Sequence, residues 1–190
     1  MKNKLIALTF SVFSLFSTNA QLEKGSMLIG GSGAFGASAG GNGSGYIFNL
    51  YPSAGYFVLN KFAVGAEVGF LSQVNNFGNF TSRYNAISFS PFARYYFLKQ
   101  ESKVNIFAQA GIAIAYYNST YAQSTTNDIV TIPNVKAGVA YFIRPQVALE
   151  AAINVRWNPN VPIINPNDQI YGSIGFQIHL NKRVKETSGI

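Results

Sequence analysis

Between Val147 and Trp157 the chain alternates strictly. Val147, Leu149, Ala151, Ile153, Val155 and Trp157 are apolar, while Glu150, Asn154 and Arg156 fall at even positions between them. A period of two sends successive side chains of an extended strand to opposite faces, whereas a helix would scatter them around its axis. The same pattern recurs along the chain. Phe62, Val64, Ala66, Val68 and Phe70 oppose Ala63, Gly65, Glu67 and Gly69. Ile87, Phe89, Pro91, Ala93, Tyr95 and Phe97 oppose Ser88, Ser90, Phe92, Arg94 and Tyr96. Ile106, Ala108, Ala110, Ile112, Ile114 and Tyr116 oppose Gln109, Gly111 and Ala113, and Ile170, Gly172, Ile174, Phe176, Ile178 and Leu180 oppose Tyr171, Ser173, Gly175, Gln177 and His179.

Weaker versions of the pattern cover 27–35, 48–58 and 131–142, which brings the expected total to eight strands of roughly ten residues. That length is what a tilted strand needs to cross a bilayer. The expected connections also alternate. Residues 59–61, 99–103 and 144–146 form tight turns, while 36–45, 72–83, 117–128 and 158–168 are long and rich in Gly, Asn, Ser, Thr or Pro. Short turns at one rim and long loops at the other are the plan of an up-and-down membrane barrel. Pro52, Pro91 and Pro133 fall within strands and each removes a ladder donor, so bulges are expected to absorb them.

Composition decides which face looks inward. A soluble barrel would wet its polar rows and stud them with charge. Only 11% of residues are charged and 48% are hydrophobic, against about 25% charged in a typical soluble domain. The polar rows hold mainly Gly, Ala, Ser, Asn and Gln, which suit the cramped interior of an eight-stranded barrel. Glu67, Arg94, Lys136, Glu150 and Arg156 are then lumenal charges, three basic and two acidic. Burying an unpaired charge is costly, so they are expected to form an ion-pair network. Lys136 is expected to reach Glu150, with Glu67 and Arg94 on neighbouring strands. Aromatic residues mark the two membrane interfaces. Tyr56, Tyr95, Phe97 and Tyr141 stand at the short-turn rim, and Tyr46, Tyr84, Tyr116 and Trp157 form the opposite girdle.

The first twenty residues, MKNKLIALTFSVFSLFSTNA, carry Lys2 and Lys4, an apolar run and small residues before Ala20. That is the plan of a signal peptide cut after Ala20, leaving 21–180 as one barrel domain and 181–190 as a short periplasmic tail. The mature chain keeps twelve basic and seven acidic residues, a net charge of +5. No Cys is present, so neither disulfides nor thiolate metal sites hold the fold. Past residue 20 no apolar stretch is long enough for a membrane helix.

Other chemical motifs were weighed against plainer readings. Gly31, Gly33 and Gly36 spell GxGxxG, but no helix pattern follows and no acid appears before Glu67, so a Gly-rich strand is the better reading. The single His179 rules out a two-histidine metal site and has no evident serine partner, which makes it a packed lumenal residue. The basic residues near the turns and termini, such as Lys61, Lys99 and Arg144, fit a solvated rim against acidic head groups. Export argues against a nucleic-acid partner.

The stretches GSMLIGGSGAF, YPSAGYFVLNKFAVGAEVGF and SPFARYYF resemble the small outer-membrane β-barrel, porin-like proteins of Bacteroidetes-type bacteria, similar in architecture to OmpX and the membrane domain of OmpA. The resemblance covers essentially all of the mature chain. It implies an all-β, eight-stranded antiparallel barrel in the outer membrane of a Gram-negative cell, with no family catalytic motif, no cofactor and no metal. Such barrels usually close on an aromatic residue. Here the last strand ends at Leu180, so Phe176 is the nearest candidate for recognition by the insertion machinery. With ten residues after that strand, no C-terminal cell-wall-binding module is expected. The expected function is structural or surface-interacting with a largely filled lumen, the loops at 72–83, 117–128 and 158–168 meeting an extracellular ligand. A narrow channel for small solutes is the alternative, and an interfacial lipid-modifying enzyme comes third.

Overall fold

A computed structural model describes residues 22–40, 43–78, 80–121, 124–156 and 170–180. The expected signal peptide with its cut at Ala20, Trp157, the loop at 158–168 and the tail at 181–190 lie outside the described residues. The elements are β1 (Met27–Gly40), β2 (Gly43–Leu59), β3 (Phe62–Phe77), β4 (Phe80–Tyr96), β5 (Val104–Tyr121), β6 (Ser124–Arg144), β7 (Val147–Arg156) and β8 (Ile170–Leu180). Each strand pairs antiparallel with its neighbours in sequence, and β1 pairs with β8, so the sheet closes on itself. Closure pairs every strand on both sides in the lower barrel, while residues 34–40 of β1 and 124–133 of β6 have a partner strand on one side only among the described residues.

The alternation seen in the sequence sorts side chains to the two faces of the wall. Every strand contributes a large apolar side chain to the outside: Ile29, Leu50, Val64, Phe89, Ile112, Val139, Ile153 and Ile174 are all at least 40% exposed. The opposite rows are buried, and they contain the polar and charged residues: Ser32, Asn49, Glu67, Arg94, Gln109, Lys136, Glu150 and Gln177. Soluble monomers rarely expose a large contiguous apolar patch. An apolar belt running around all eight strands is the inverse of a soluble barrel.

Strand length departs from the expectation. β2 to β6 run for 16 to 21 residues, and the stretches expected as long loops at 36–45, 72–83 and 117–128 are mostly strand. The reason is that Ser, Thr, Asn and Gly pair as well as apolar residues do once a register is established below them. Ser119 faces Thr126 and Thr120 faces Thr125 across the β5–β6 ladder, and the two Thr hydroxyls lie 3.1 Å apart. At about 3.4 Å per residue and a tilt near 40°, β6 rises roughly 50 Å, about twice the apolar band of a small membrane barrel.

The prolines are absorbed without bulges. β2 and β3 pair at Leu50–Phe70 and again at Ser53–Glu67 in unchanged register, so Pro52 costs ladder bonds on the β3 side only. Pro91 does the same between β4 and β5, where pairing resumes in register at Phe92–Gly111. Pro133 pairs with Ile112 inside an unbroken β5–β6 register. The register shifts occur elsewhere, at Phe57/Leu59 and Phe142/Arg144, each one residue short of a tight turn. At the first of these turns Lys61 takes a left-handed φ of 65°, and Asn60 accepts a hydrogen bond from the Lys24 backbone N–H at 2.9 Å.

Candidate functional site

The lumen is divided into three levels, and the middle one holds the charges. Arg94 projects from β4 and Glu150 from β7, meeting across the barrel with Nη1 and Oε1 2.7 Å apart. Arg94 also donates from Nε to Gln109 Oε1 at 2.8 Å and from Nη1 to the Tyr96 hydroxyl at 3.1 Å. Its guanidinium carbon lies 4.4 Å from the centre of the Phe107 ring. Lys136 Nζ on β6 donates to Glu67 Oε2 on β3 at 2.9 Å. All four side chains are nearly inaccessible to solvent. Charges this deep are tolerable only when each has a partner and further hydrogen bonds.

These pairings differ from the expected ones. Lys136 stands opposite Asn154, which puts Glu150 four residues further along β7, roughly 13 Å away at strand spacing. Glu67 stands opposite Ser90 and Arg94 opposite Ala63, again four residues apart. Neighbouring strands therefore hold these charges too far apart, and the pairs form across the lumen instead. Arg156, expected to join the network, has no carboxylate in ion-pair contact among the described residues. It lies against aromatic rings, its guanidinium carbon 4.6 Å from the centre of Tyr51 and 5.3 Å from that of Tyr171.

Below the charges, toward the short-turn rim, the barrel is sealed by apolar packing. Leu22, Leu28, Phe57, Tyr96, Phe107 and Phe142 are almost wholly buried there. His179 sits among them, with ring centres 5.7 Å from Phe57 and 5.3 Å from Phe142. Gly65 and Gly138 give this level its room: a Cβ on Gly65 would lie 2.7 Å from the Phe92 ring, and one on Gly138 2.9 Å from the Phe107 ring. Leu22 was not foreseen, because it lies outside any alternating segment. It is tied down by its carbonyl, which accepts hydrogen bonds from the Lys61 N–H and from Gln100 Nε2, each at 2.8 Å.

Above the charges the lumen opens into a cavity of about 730 Å³, lined by a mixture of small, polar and apolar side chains, with Arg156, Tyr51 and Tyr171 beside Ile47, Leu71 and Ile132. Phe107, Gln109 and Gln177 also escaped assignment to the site, although the alternation already put each of them on an inward row.

The aromatic girdle is split between the two faces. Tyr56, Tyr95, Phe97 and Tyr141 are exposed on the outer wall near the short-turn rim, and Tyr46 and Tyr116 are exposed further up. Tyr84 does not belong to the outer girdle. It shares an inward row with Ala86 and Ser88, lines the upper cavity and stacks on Tyr117 at 5.4 Å. Its neighbours Asn85 and Ile87 take the outward positions, so strict alternation forces Tyr84 inside.

A closed antiparallel barrel with an apolar exterior and a polar, ion-paired interior defines the class: this is the fold of the small eight-stranded outer-membrane β-barrels. Solved structures share it. Neisserial surface protein A aligns over 82% of this chain and 97% of its own, with a TM-score of 0.54 and 21% identity. The N-terminal β-barrel domain of Pseudomonas aeruginosa OprF aligns over 83% of this chain and 98% of its own, with a TM-score of 0.52 and 14% identity. At such identities the likeness is one of fold. No family model matches the chain, and no curated protein does.

Proposed function

We propose that the chain is an outer-membrane β-barrel protein, exported by the signal at residues 1–20 and inserted with its short turns toward the periplasm. Its lumen is closed to solute flow, and its role is structural or surface-interacting rather than catalytic. The observation that carries the reading is the coexistence of an apolar belt on all eight strands with a lumen blocked in its lower two levels. The first feature suits hydrocarbon; the second fills the lower lumen with packed and ion-paired side chains. The strand extensions of β3 to β6 would stand beyond the apolar band, where they offer polar surface to an extracellular partner. In the bilayer the partners are outer-membrane lipid and, during assembly, the insertion machinery.

The test is recording in planar bilayers. Purified, folded protein should insert without producing a stable unitary conductance. A reproducible conductance would overturn the closed-lumen reading in favour of a narrow channel for small solutes.

A further inference from the structure

The upper cavity runs from Tyr51, Gly69 and Ala113 at its floor to Asn75 and Ser119 near the hairpin tips. Among the described side chains that line it, Arg156 alone carries a charge. The two lumenal carboxylates below are taken by Arg94 and Lys136. Among the described residues the lumen thus holds one surplus positive charge, and it lies at the base of a chamber of about 730 Å³.

A partly buried guanidinium without a carboxylate is costly unless something else compensates it. Tyr51 and Tyr171 do so only in part, because their rings, 4.6 and 5.3 Å from the guanidinium carbon, carry no full negative charge. The in-plane fork of N–H donors remains suited to two oxygens of one oxyanion. A second feature of the same chamber points to a ligand. Asn49, two residues from Tyr51 on the same inward row, is buried, lines the cavity, and its Oδ1 accepts no hydrogen bond among the described residues. Buried acceptors are ordinarily satisfied, and a ligand hydroxyl would satisfy this one.

We propose that this outer vestibule binds a small hydroxylated oxyanion, a sugar acid or sugar phosphate in chemical class. Arg156 holds the anionic group and Asn49 accepts a hydrogen bond from a hydroxyl. The proposal concerns the chamber alone, so its failure would leave the membrane-barrel reading standing.

The experiment is calorimetric titration of the full mature protein, folded in detergent micelles, with three probes. Glucuronate tests a hydroxylated carboxylate, glucose 6-phosphate a hydroxylated phosphate, and glucose the neutral control. Saturable binding of at least one anion but not of glucose is expected, with affinity falling at least tenfold in Arg156→Gln. No binding of either anion overturns the proposal, as does equal binding of glucose or unchanged affinity in Arg156→Gln. If Arg156→Gln fails to fold, two further measurements decide. Ala115→Phe, which fills the chamber while leaving Arg156 in place, should abolish binding. The Arg156 guanidinium resonance of the unaltered protein should shift on titration. Retained binding in the first or an unmoved resonance in the second overturns the site.

Discussion

Glu150 illustrates how a single side chain acts in this barrel. Its Oε1 meets Arg94 at 2.7 Å, and its Oε2 lies 3.5 Å from Gln177 Nε2, all within a level closed to solvent. Removing the carboxylate would leave a buried guanidinium uncompensated, which typically costs about 3–5 kcal/mol. Glu150→Ala should therefore lower the thermal unfolding midpoint in detergent markedly. The double variant Arg94→Met/Glu150→Leu should recover much of the loss, because it removes both charges. An unchanged midpoint for Glu150→Ala would show that the pair contributes nothing. Leu22 makes a separate case. It is wholly buried at the short-turn end, and Leu22→Ala should cost about 2–5 kcal/mol, read from the same melting curves. The inward position of Glu150 and Arg94 was legible from alternation alone. The partner of each was not, since a partner across the lumen depends on where non-adjacent strands come to lie.

Strands carry the next level of the argument. Ile112 on β5 faces outward within the apolar belt, while Thr125 on β6 faces outward near a hairpin tip. An Arg on the lipid face costs about 2–4 kcal/mol near the bilayer centre and about 0–1 kcal/mol near the interface. Ile112→Arg should thus destabilise the barrel in urea titrations in lipid vesicles, and Thr125→Arg should not. Equal effects would argue against a bilayer around the belt. The count of strands and their faces was readable from the period-two pattern. Their upper ends were not, because Thr, Ser and Asn mark loops in composition yet continue the ladder when the partner strand is already in register, as Asn118 and Asn127 do with a side-chain bond of 2.6 Å. Turn types and prolines behaved similarly. The ladder gave up bonds at Pro52 and Pro91 and kept its register, since the remaining pairs on both sides outweigh the loss.

For the whole molecule, the apolar exterior and the closed ladder make joint demands. Without an amphiphile the belt has no solvent to match it, so the mature chain should aggregate in plain buffer and become monodisperse in detergent or lipid. With every strand paired on both sides over its lower part, unfolding should be cooperative and slow. The folded protein should accordingly migrate differently on gels before and after boiling, and identical migration would count against a closed barrel in solution. Most of the strand pairs are neighbours in sequence, and only β1 with β8 joins the ends.

The amino-acid sequence determined, by itself, which strand positions face outward and which face the lumen. That choice is made two residues at a time by the geometry of an extended backbone, and a chain with so few charges has only one way to place its apolar rows. It also settled the number of strands, through the spacing of the turns. The tertiary structure alone decided that Arg94 meets Glu150, that Lys136 meets Glu67, and that Arg156 rests between Tyr51 and Tyr171. Those contacts join residues as many as 105 positions apart in the chain, Tyr51 and Arg156. They exist only because closing the sheet into a cylinder brings the inward rows of distant strands face to face.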